Sequence, residues 1–454
     1  GVRRDPYFND PDSYYVLDTT VAREFQGKGL GRSIKYALSL AALLKQAKRV
    51  NGKNRHLIAK SMWNINLSLG SYELDYIHED SPDFAESRDV IYYTTPTKWA
   101  WPPLHLCSAI PSPLGAGDLT HEFMKKNLHN MVNKVCLSNF VSESYLENFK
   151  FLISLAPPFL QHAYSSSGQA ECVDKIAKSL WYNSKKNIKN LTFEGHFFGY
   201  GSFFARSLGQ FQTPYFPVSV LPHPTEENWE QVLELVEVEL EQGNIMAVWL
   251  EPIRQRFMDP VPVKFLKQLK ELASKQGVPL VYNETMSSFF RYHDEHFFAA
   301  NNPEICPDAF MVYGGGQIGA VWMRQDLYVS KPLMLISTWD GDELSLSTYI
   351  EAIRRTLEKK QEFQEIKRIF NAILMNTLSE CRIKNLHLSL GYGYFEGTIP
   401  TSLQHLFSKI CIPEGDDIVH TRYLICPNFG SMLQFIRTAG SLSSETDEDD
   451  DATH

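Results

Sequence analysis

Long apolar runs are missing from this 454-residue chain. No window approaches the roughly 18 continuous apolar residues of a membrane span, and no basic, apolar, small-residue series opens the chain as a targeting leader would. Charge is sparse as well, at 21% of residues. Cysteine is thinly spread: Cys107, Cys136, Cys172, Cys306, Cys381, Cys411 and Cys426 are odd in number and never form a CxxC pair. That excludes a disulfide framework and paired-thiol zinc sites, and implies a reduced, cytoplasmic setting. The fourteen histidines contain no HxxxH or HExxH pair, so His105, His121 and His129 read as surface or capping groups and no metal site is expected. Ser165, Ser166 and Ser167 lack the context of a nucleophile elbow, which excludes a hydrolase triad.

What is present describes a globular chain with large cores: 43% hydrophobic and 13% aromatic residues, long enough for two to four units. The net charge of −9 misleads, because the final fourteen residues, SLSSETDEDDDATH, hold six acids and no Lys or Arg. The remainder is nearly neutral, which argues against a nucleic-acid binder, whose affinity needs clustered Lys and Arg. The tail reads as a solvated, disordered terminus over 441–454.

Periodicity divides the rest. Tyr14 to Thr20 reads as a strand ending at a glycine-rich turn, Leu30 to Ala47 and His56 to Leu69 as helices, and SYELDYI as a strand. Residues 81–129 are rich in Pro and Trp (TTPTKWAWPPLHL) and read as a connector. From about 130, short apolar strands (Ile188 to Phe193, Ile245 to Leu250, Pro279 to Tyr282, Ala309 to Val312) alternate with amphipathic helices such as Trp229 to Gln242 and Val263 to Gln276. That alternation predicts a mostly parallel sheet with helices on both faces over 130–340. One long helix, Leu344 to Phe370, then leads into a smaller α/β domain spanning 341–440.

The turn at Gln26-Gly27-Lys28-Gly29-Leu30-Gly31-Arg32 places three glycines where a helix begins, so that main-chain N–H groups face an anion without Cβ obstruction. With Asn51, Asn54, Met62, Ile65, Asn66, Leu69 and Gly70 downstream, residues 1–80 resemble the acyl-CoA-binding half of the GNAT N-acetyltransferase superfamily. Ser71 stands where that family usually has Phe. The resemblance implies that acetyl-CoA lies against the N–H groups of residues 27–32, close to Asn66, and that Tyr72 or Tyr76 protonates the departing thiolate. It also implies an amine acceptor, and an acceptor-binding half of the fold upstream of Tyr14. Residues 1–80 carry 12 Lys and Arg against 9 Asp and Glu, a balance suited to an anionic cofactor.

A second ordered series follows: Tyr164-Ser-Ser-Ser167-Gly168-Gln169, Phe193-Glu-Gly-His-Phe197-Phe198-Gly199, Trp249-Leu-Glu251-Pro252, Asn283-Glu284 through Arg291, Pro307-Asp308, and Ser337-Thr338-Trp-Asp-Gly341. It resembles the class III, fold type I aminotransferases that use pyridoxal phosphate (PLP). The resemblance implies a phosphate seat at Ser167, Gly168 and Gln169 with Thr338 from a partner subunit, Phe197 stacked on the ring, Asn283 beneath its nitrogen, and a homodimer. The family's Schiff-base lysine would fall at Gly314, in Tyr313-Gly-Gly-Gly-Gln317, and its ring-nitrogen aspartate at Asn283. Without the amine there is no lysine aldimine and no base for the Cα proton. Lys331 is the next lysine along, seventeen residues away.

The sequence therefore predicts half a GNAT fold joined to an aminotransferase-like large domain and a small α/β domain. The expected function is acetyl-CoA-dependent N-acetylation, with a catalytically defective module that binds an amine acceptor or amino-acid-like ligand, including PLP held without an aldimine, or mediates dimerisation. Two other readings stand beside it: a non-enzymatic ligand-binding or scaffold protein, and a PLP enzyme with a displaced lysine. Nucleic-acid and membrane partners are not expected.

Overall fold

The structure is a computed structural model. It describes residues 7–97 except 18, 28, 46, 57, 70 and 81–87, and residues 142–439 except 185–186, 211–214, 333, 338–339, 401–402, 408–409, 415–421, 428, 430, 434 and 437–438. Lys28, Thr338, most of the proline-rich connector and the acidic tail lie outside the described residues. The chain divides into two compact units, Gly1–Trp101 and Pro102–His454.

The first unit is a four-stranded sheet with two helices. Strand β1 (Ser13–Val16) runs parallel to β2 (Arg49–Arg55), which pairs antiparallel with β4 (Val90–Pro96), and β4 pairs antiparallel with β3 (Tyr72–Ile77). The sheet thus takes a central strand from residues beyond 80. The strand foreseen from Tyr14 to Thr20 stops at Val16, paired with Gly52, and a 3-10 turn at Arg23–Phe25 follows. Helix α1 (Leu30–Leu44) connects β1 to β2 and buries Ala42 against Val16 and Val50. Helix α2 (Lys60–Ser68) packs on α1, where the Ile65 Cδ1 methyl lies 3.2 Å from where a Cβ at Gly31 would stand.

The second unit is built on a seven-stranded sheet ordered β5-β13-β12-β11-β8-β6-β7. Its strands are β5 (His162–Ser166), β6 (Lys189–Phe193), β7 (Val218–Leu221), β8 (Ile245–Leu250), β11 (Leu280–Asn283), β12 (Ala309–Gly315) and β13 (Ile318–Met323), with a small hairpin of β9 (Ile253–Arg254) and β10 (Asp259–Pro260) outside it. The pairs from β7 through β12 are parallel; β13 alone runs against its neighbours. Strands buried on both faces must be apolar throughout, and alternate residues must serve different cores. Ile245, Val248, Leu280, Tyr282, Phe310 and Trp322 join one apolar cluster, while Met246, Trp249, Val281, Met311 and Val321 join the other. Phe310 and Trp322 are opposite each other across β12 and β13 and stack with centroids 4.6 Å apart.

Helices flank this sheet: α3 (Glu143–Ser154), α4 (Gln169–Ser184), α5 (Phe203–Leu208), α6 (Trp229–Glu241) and α7 (Val263–Lys275). The single helix foreseen from Leu344 to Phe370 is two, α8 (Glu343–Glu358) and α9 (Lys360–Leu378), divided at Lys359, whose backbone leaves the helical region at φ −110 and ψ 24. The break lets Phe363 of α9 pack with Ala352 of α8 and Phe429. An antiparallel sheet ordered β14-β15-β17-β16, comprising Arg382–Ser389, Tyr392–Thr398, Arg422–Ile425 and Cys411–Glu414, completes the unit. Among the described residues no helix is long and apolar enough to cross a membrane, and no cluster of His, Cys, Asp or Glu is arranged to hold a metal ion.

Candidate functional site

Two places bring the sequence candidates together, one in each unit. In the first, Gly27 and Gly29 adopt φ of +80 and +79, a left-handed conformation that side chains with a Cβ resist, and open space lies where those Cβ atoms would be. Leu30, exposed, begins α1, and no acid stands in that helix's first turn. The helix N-terminus therefore presents its partial positive charge without an internal counter-charge. The Arg32 N–H is already committed to Gly29 O at 3.0 Å, so it is not one of the donors the resemblance implies. Gln26 folds back, its Nε2 donating to Val21 O at 3.1 Å.

Asn66 is buried on α2, in the interior of the first unit. Tyr72 lies on β3 opposite Thr94. The Tyr76 hydroxyl donates to Asp89 Oδ2 at 2.6 Å and is 2.9 Å from His56 Nδ1. Its pKa is raised, first by the hydrogen bond to Asp89, so its proton is held toward that carboxylate.

The second place is a cleft of about 670 Å³ at the end of β5 and the start of α4, lined by Ser167, Gly168, Gln169, Phe197, Tyr313 and Asp340 among others. The turn from β5 into α4, the segment after β6, strand β12 and the segment before α8 carry these groups, so residues distant in sequence converge. Phe197, nearly buried, sets its ring edge-on to Tyr200 at 5.0 Å. Beneath it, the Asn283 Nδ2 donates to Phe197 O at 2.8 Å, and the Asn283 Oδ1 accepts the Thr285 N–H at 3.1 Å. Glu251, fully buried, accepts the Phe197 N–H at 2.7 Å and the Gln255 N–H at 3.2 Å. Burial pushes the Glu251 pKa well above the usual carboxylate range, toward the neutral acid.

A chain of neutral imidazoles lies behind Glu251. Its N–H donates to His196 Nδ1 at 2.8 Å, so His196 Nε2 carries the proton and faces His223 Nδ1 at 3.2 Å. His223 in turn faces Asp259, which Arg254 clamps at 2.5 and 2.8 Å.

At the mouth of the cleft, Lys175 of α4 is buried and paired with Asp340 at 2.6 Å, and it also donates to Ser165 O at 2.6 Å. The Ser167 N–H and hydroxyl donate to Glu171 Oε2 at 3.0 and 2.5 Å, and the Ser166 hydroxyl does so at 3.2 Å. Gln169 turns away, its Nε2 donating to Gln255 Oε1 at 3.1 Å. Gly314 is the penultimate residue of β12, and an added Cβ there would lie 2.9 Å from both Tyr349 Cγ and Ile318 Cγ2.

No family model matches the chain. Among curated proteins it is 25% identical over 250 residues to acetylornithine aminotransferase of Methanopyrus kandleri, covering 52% of this chain and 61% of the relative. It is 24% identical over 246 residues to glutamate-1-semialdehyde 2,1-aminomutase 2 of Geobacillus thermodenitrificans, covering 50% and 56% respectively. The chain thus spans about three-fifths of these relatives' length. Among solved structures it resembles adenosylmethionine-8-amino-7-oxononanoate aminotransferase from Methanocaldococcus jannaschii, with TM-score 0.58, 18% identity, and coverage of 72% of this chain and 84% of that one. Coverage so large falls mainly in the second unit, because the first has only 101 residues. The second unit is folded like a fold type I aminotransferase. The comparisons support no acetyltransferase likeness for the first unit.

Against that fold, the residues present can be tested for a lysine-anchored pyridoxal phosphate. The strand end that would carry the amine is Gly314, with the space above it filled by the Tyr349 ring and Ile318. Under the ring, Asn283 is neutral and its carboxamide is engaged, while the Glu251 carboxyl is spent on the Phe197 and Gln255 N–H groups. The serine donors before α4 are taken by Glu171. These residues do not fit a cofactor anchored by a lysine at position 314.

Sequence reasoning did not single out Glu171, Lys175 or Tyr349. For Glu171 a signal existed: it is an acid in the first turn of a helix, where it meets the free N–H groups and the helix dipole. Tyr349, thirty-five positions beyond Gly314 and on a different element, gave none.

Proposed function

We propose that the second unit is an aminotransferase-type module that binds a pyridoxal-type or amino-acid-like ligand in the 670 Å³ cleft, without a lysine aldimine at position 314. The fold and the aminotransferase and aminomutase relatives support a ligand of that class. The observation that carries the noncovalent part is the packing of Tyr349 and Ile318 over Gly314, which admits a longer side chain there only if those neighbours are displaced. Phe197 and Tyr200 offer an aromatic wall, and the Asn283–Glu251 pair fixes its position from below. Incubation of the full chain with pyridoxal phosphate, borohydride reduction and peptide mapping tests this. The expected result is no stoichiometric pyridoxyl group on any cleft lysine. A single fully labelled lysine, at Lys175, Lys178 or Lys331, would establish the displaced-lysine enzyme instead.

A second reading concerns the first unit. The two left-handed glycines with open space above them, at the start of a fifteen-residue helix free of first-turn acids, support binding of an acyl-CoA pyrophosphate by residues 26–31, with acetyl transfer to an amine as its outcome. Gly29→Glu places a carboxylate and a strained Cβ in that turn and is expected to abolish CoA binding; tight CoA binding by the variant refutes the reading.

A further inference from the structure

The seat that a phosphate would take at the start of α4 already contains an anion. Glu171 stands in the first turn of α4, and its Oε2 gathers the Ser167 N–H, the Ser167 hydroxyl and the Ser166 hydroxyl. These are the donors that a helix N-terminus and its preceding serines offer to an oxyanion. Burial works against the charge, yet the Ser167 and Ser166 hydrogen bonds and nearby Lys175 hold the Glu171 carboxyl below its ordinary pKa, so it remains an anion at neutral pH. The neighbouring groups return little to a phosphate beyond the Lys178 charge. Lys175 is committed to Asp340 and Ser165 O, Gln169 is bonded to Gln255, and the acids lining the cleft, Glu171, Asp174 and Asp340, outnumber its two lysines. A phosphate dianion entering here would lose its donors to Glu171 and meet it as a like charge.

We infer that Glu171 is a specificity residue of the cleft, an internal anion that closes the phosphate seat, so that the ligand the cleft takes is phosphate-free. This rests on the reading of the cleft as a site for pyridoxal-type or amino-acid-like ligands, and it narrows that class by chemistry. A capping carboxylate with no bearing on ligands would leave phosphate affinity untouched when removed, which separates the two roles.

The experiment uses the full chain, its Glu171→Ala variant and its Glu171→Gln variant, with far-UV circular dichroism to verify folding. The probes are inorganic phosphate, followed by 31P line broadening, and pyridoxamine and pyridoxamine 5′-phosphate, followed by calorimetry; these lack the aldehyde that would label surface lysines. The natural chain is expected to ignore phosphate and to bind pyridoxamine more tightly than its phosphate ester. Glu171→Ala is expected to bind phosphate and to tighten on the ester by about tenfold or more, with Glu171→Gln between the two. Should the natural chain bind phosphate or the ester as tightly as both variants do, or should no variant bind phosphate, the inference is overturned. If the variants gain phosphate while no protein binds either pyridoxamine compound, Glu171 still closes the seat and it is the ligand class of the cleft that is wrong.

Discussion

Adding one methyl group at Gly314 tests the packing that denies this strand end a side chain. In Gly314→Ala the new Cβ would stand 2.9 Å from Ile318 Cγ2, 2.9 Å from Tyr349 Cγ and 3.0 Å from Tyr349 Cδ1. Carbon atoms rest comfortably at about 3.5–4.0 Å, so the neighbours must retreat by roughly 0.5–1 Å. Neither can do so cheaply: both are buried, Ile318 lies in β13, and the Tyr349 ring is held edge-on against Phe289 at 5.8 Å. Overpacking of this kind costs about 1–3 kcal/mol. Replacing glycine within a strand returns roughly 0.5–1 kcal/mol, because glycine loses the most backbone freedom on folding. The expected net is a loss of about 0.5–2 kcal/mol, read as a lower urea midpoint for the second unit followed by near-UV circular dichroism. Tyr349→Leu should relieve the clash, so the double variant should show a favourable coupling of about 1 kcal/mol in a mutant cycle. An unchanged or raised midpoint for Gly314→Ala would refute the packing argument, and with it the claim that no amine can be housed there. Gly314→Lys should displace α8 and acquire no reducible pyridoxal adduct.

The remaining predictions concern buried polar groups. His223 has its pKa lowered to about 3 by burial and by repulsion from Arg254, with Asp259 opposing. The folded state therefore keeps it neutral while the unfolded chain protonates near pH 6.5, so its contribution is present above that pH and is lost on acidification. By pH 5 the loss is about 2 kcal/mol, and His223→Asn should show a flatter fall in urea midpoint between pH 8 and 5; parallel profiles would count against it. Lys175→Met leaves the Asp340 carboxylate at the cleft mouth with only Ser337 as donor among the described residues, and should cost about 3 kcal/mol in thermal or urea unfolding, whereas a neutral effect would show the pair to be solvated. Tyr349→Phe removes a buried hydroxyl without a partner among the described residues, and should leave stability unchanged or raise it by up to about 1 kcal/mol; a clear loss would reveal a missed hydrogen bond.

Much of this protein is local, and local features were legible in the chain. Alternating strand and helix over 188–312 announced a mostly parallel sheet, because strands buried on both faces are apolar throughout and their connections must be helical. The ordered series from Tyr164 to Gly341 marked an aminotransferase-like fold, and counting from Asp308 showed that position 314 is glycine. The break between α8 and α9 was not, since both sides of Lys359 read as good helix and only the packing of Phe363 on Ala352 demands the bend. Nor was Asn66 placed, because a polar residue on a helix is equally well a ligand contact or a buried interior residue until the sheet is laid against it.

The sequence by itself determined which chemical groups are present: a glycine turn before α1, serines before α4, and no amine at position 314. Only the tertiary structure decided what occupies the places those groups define. Glu171 takes the serine donors before α4, Tyr349 fills the space over Gly314, and Glu251 is buried with its pKa pushed up. These are long-range facts of proximity and desolvation, and neither is encoded in the residues immediately around the site.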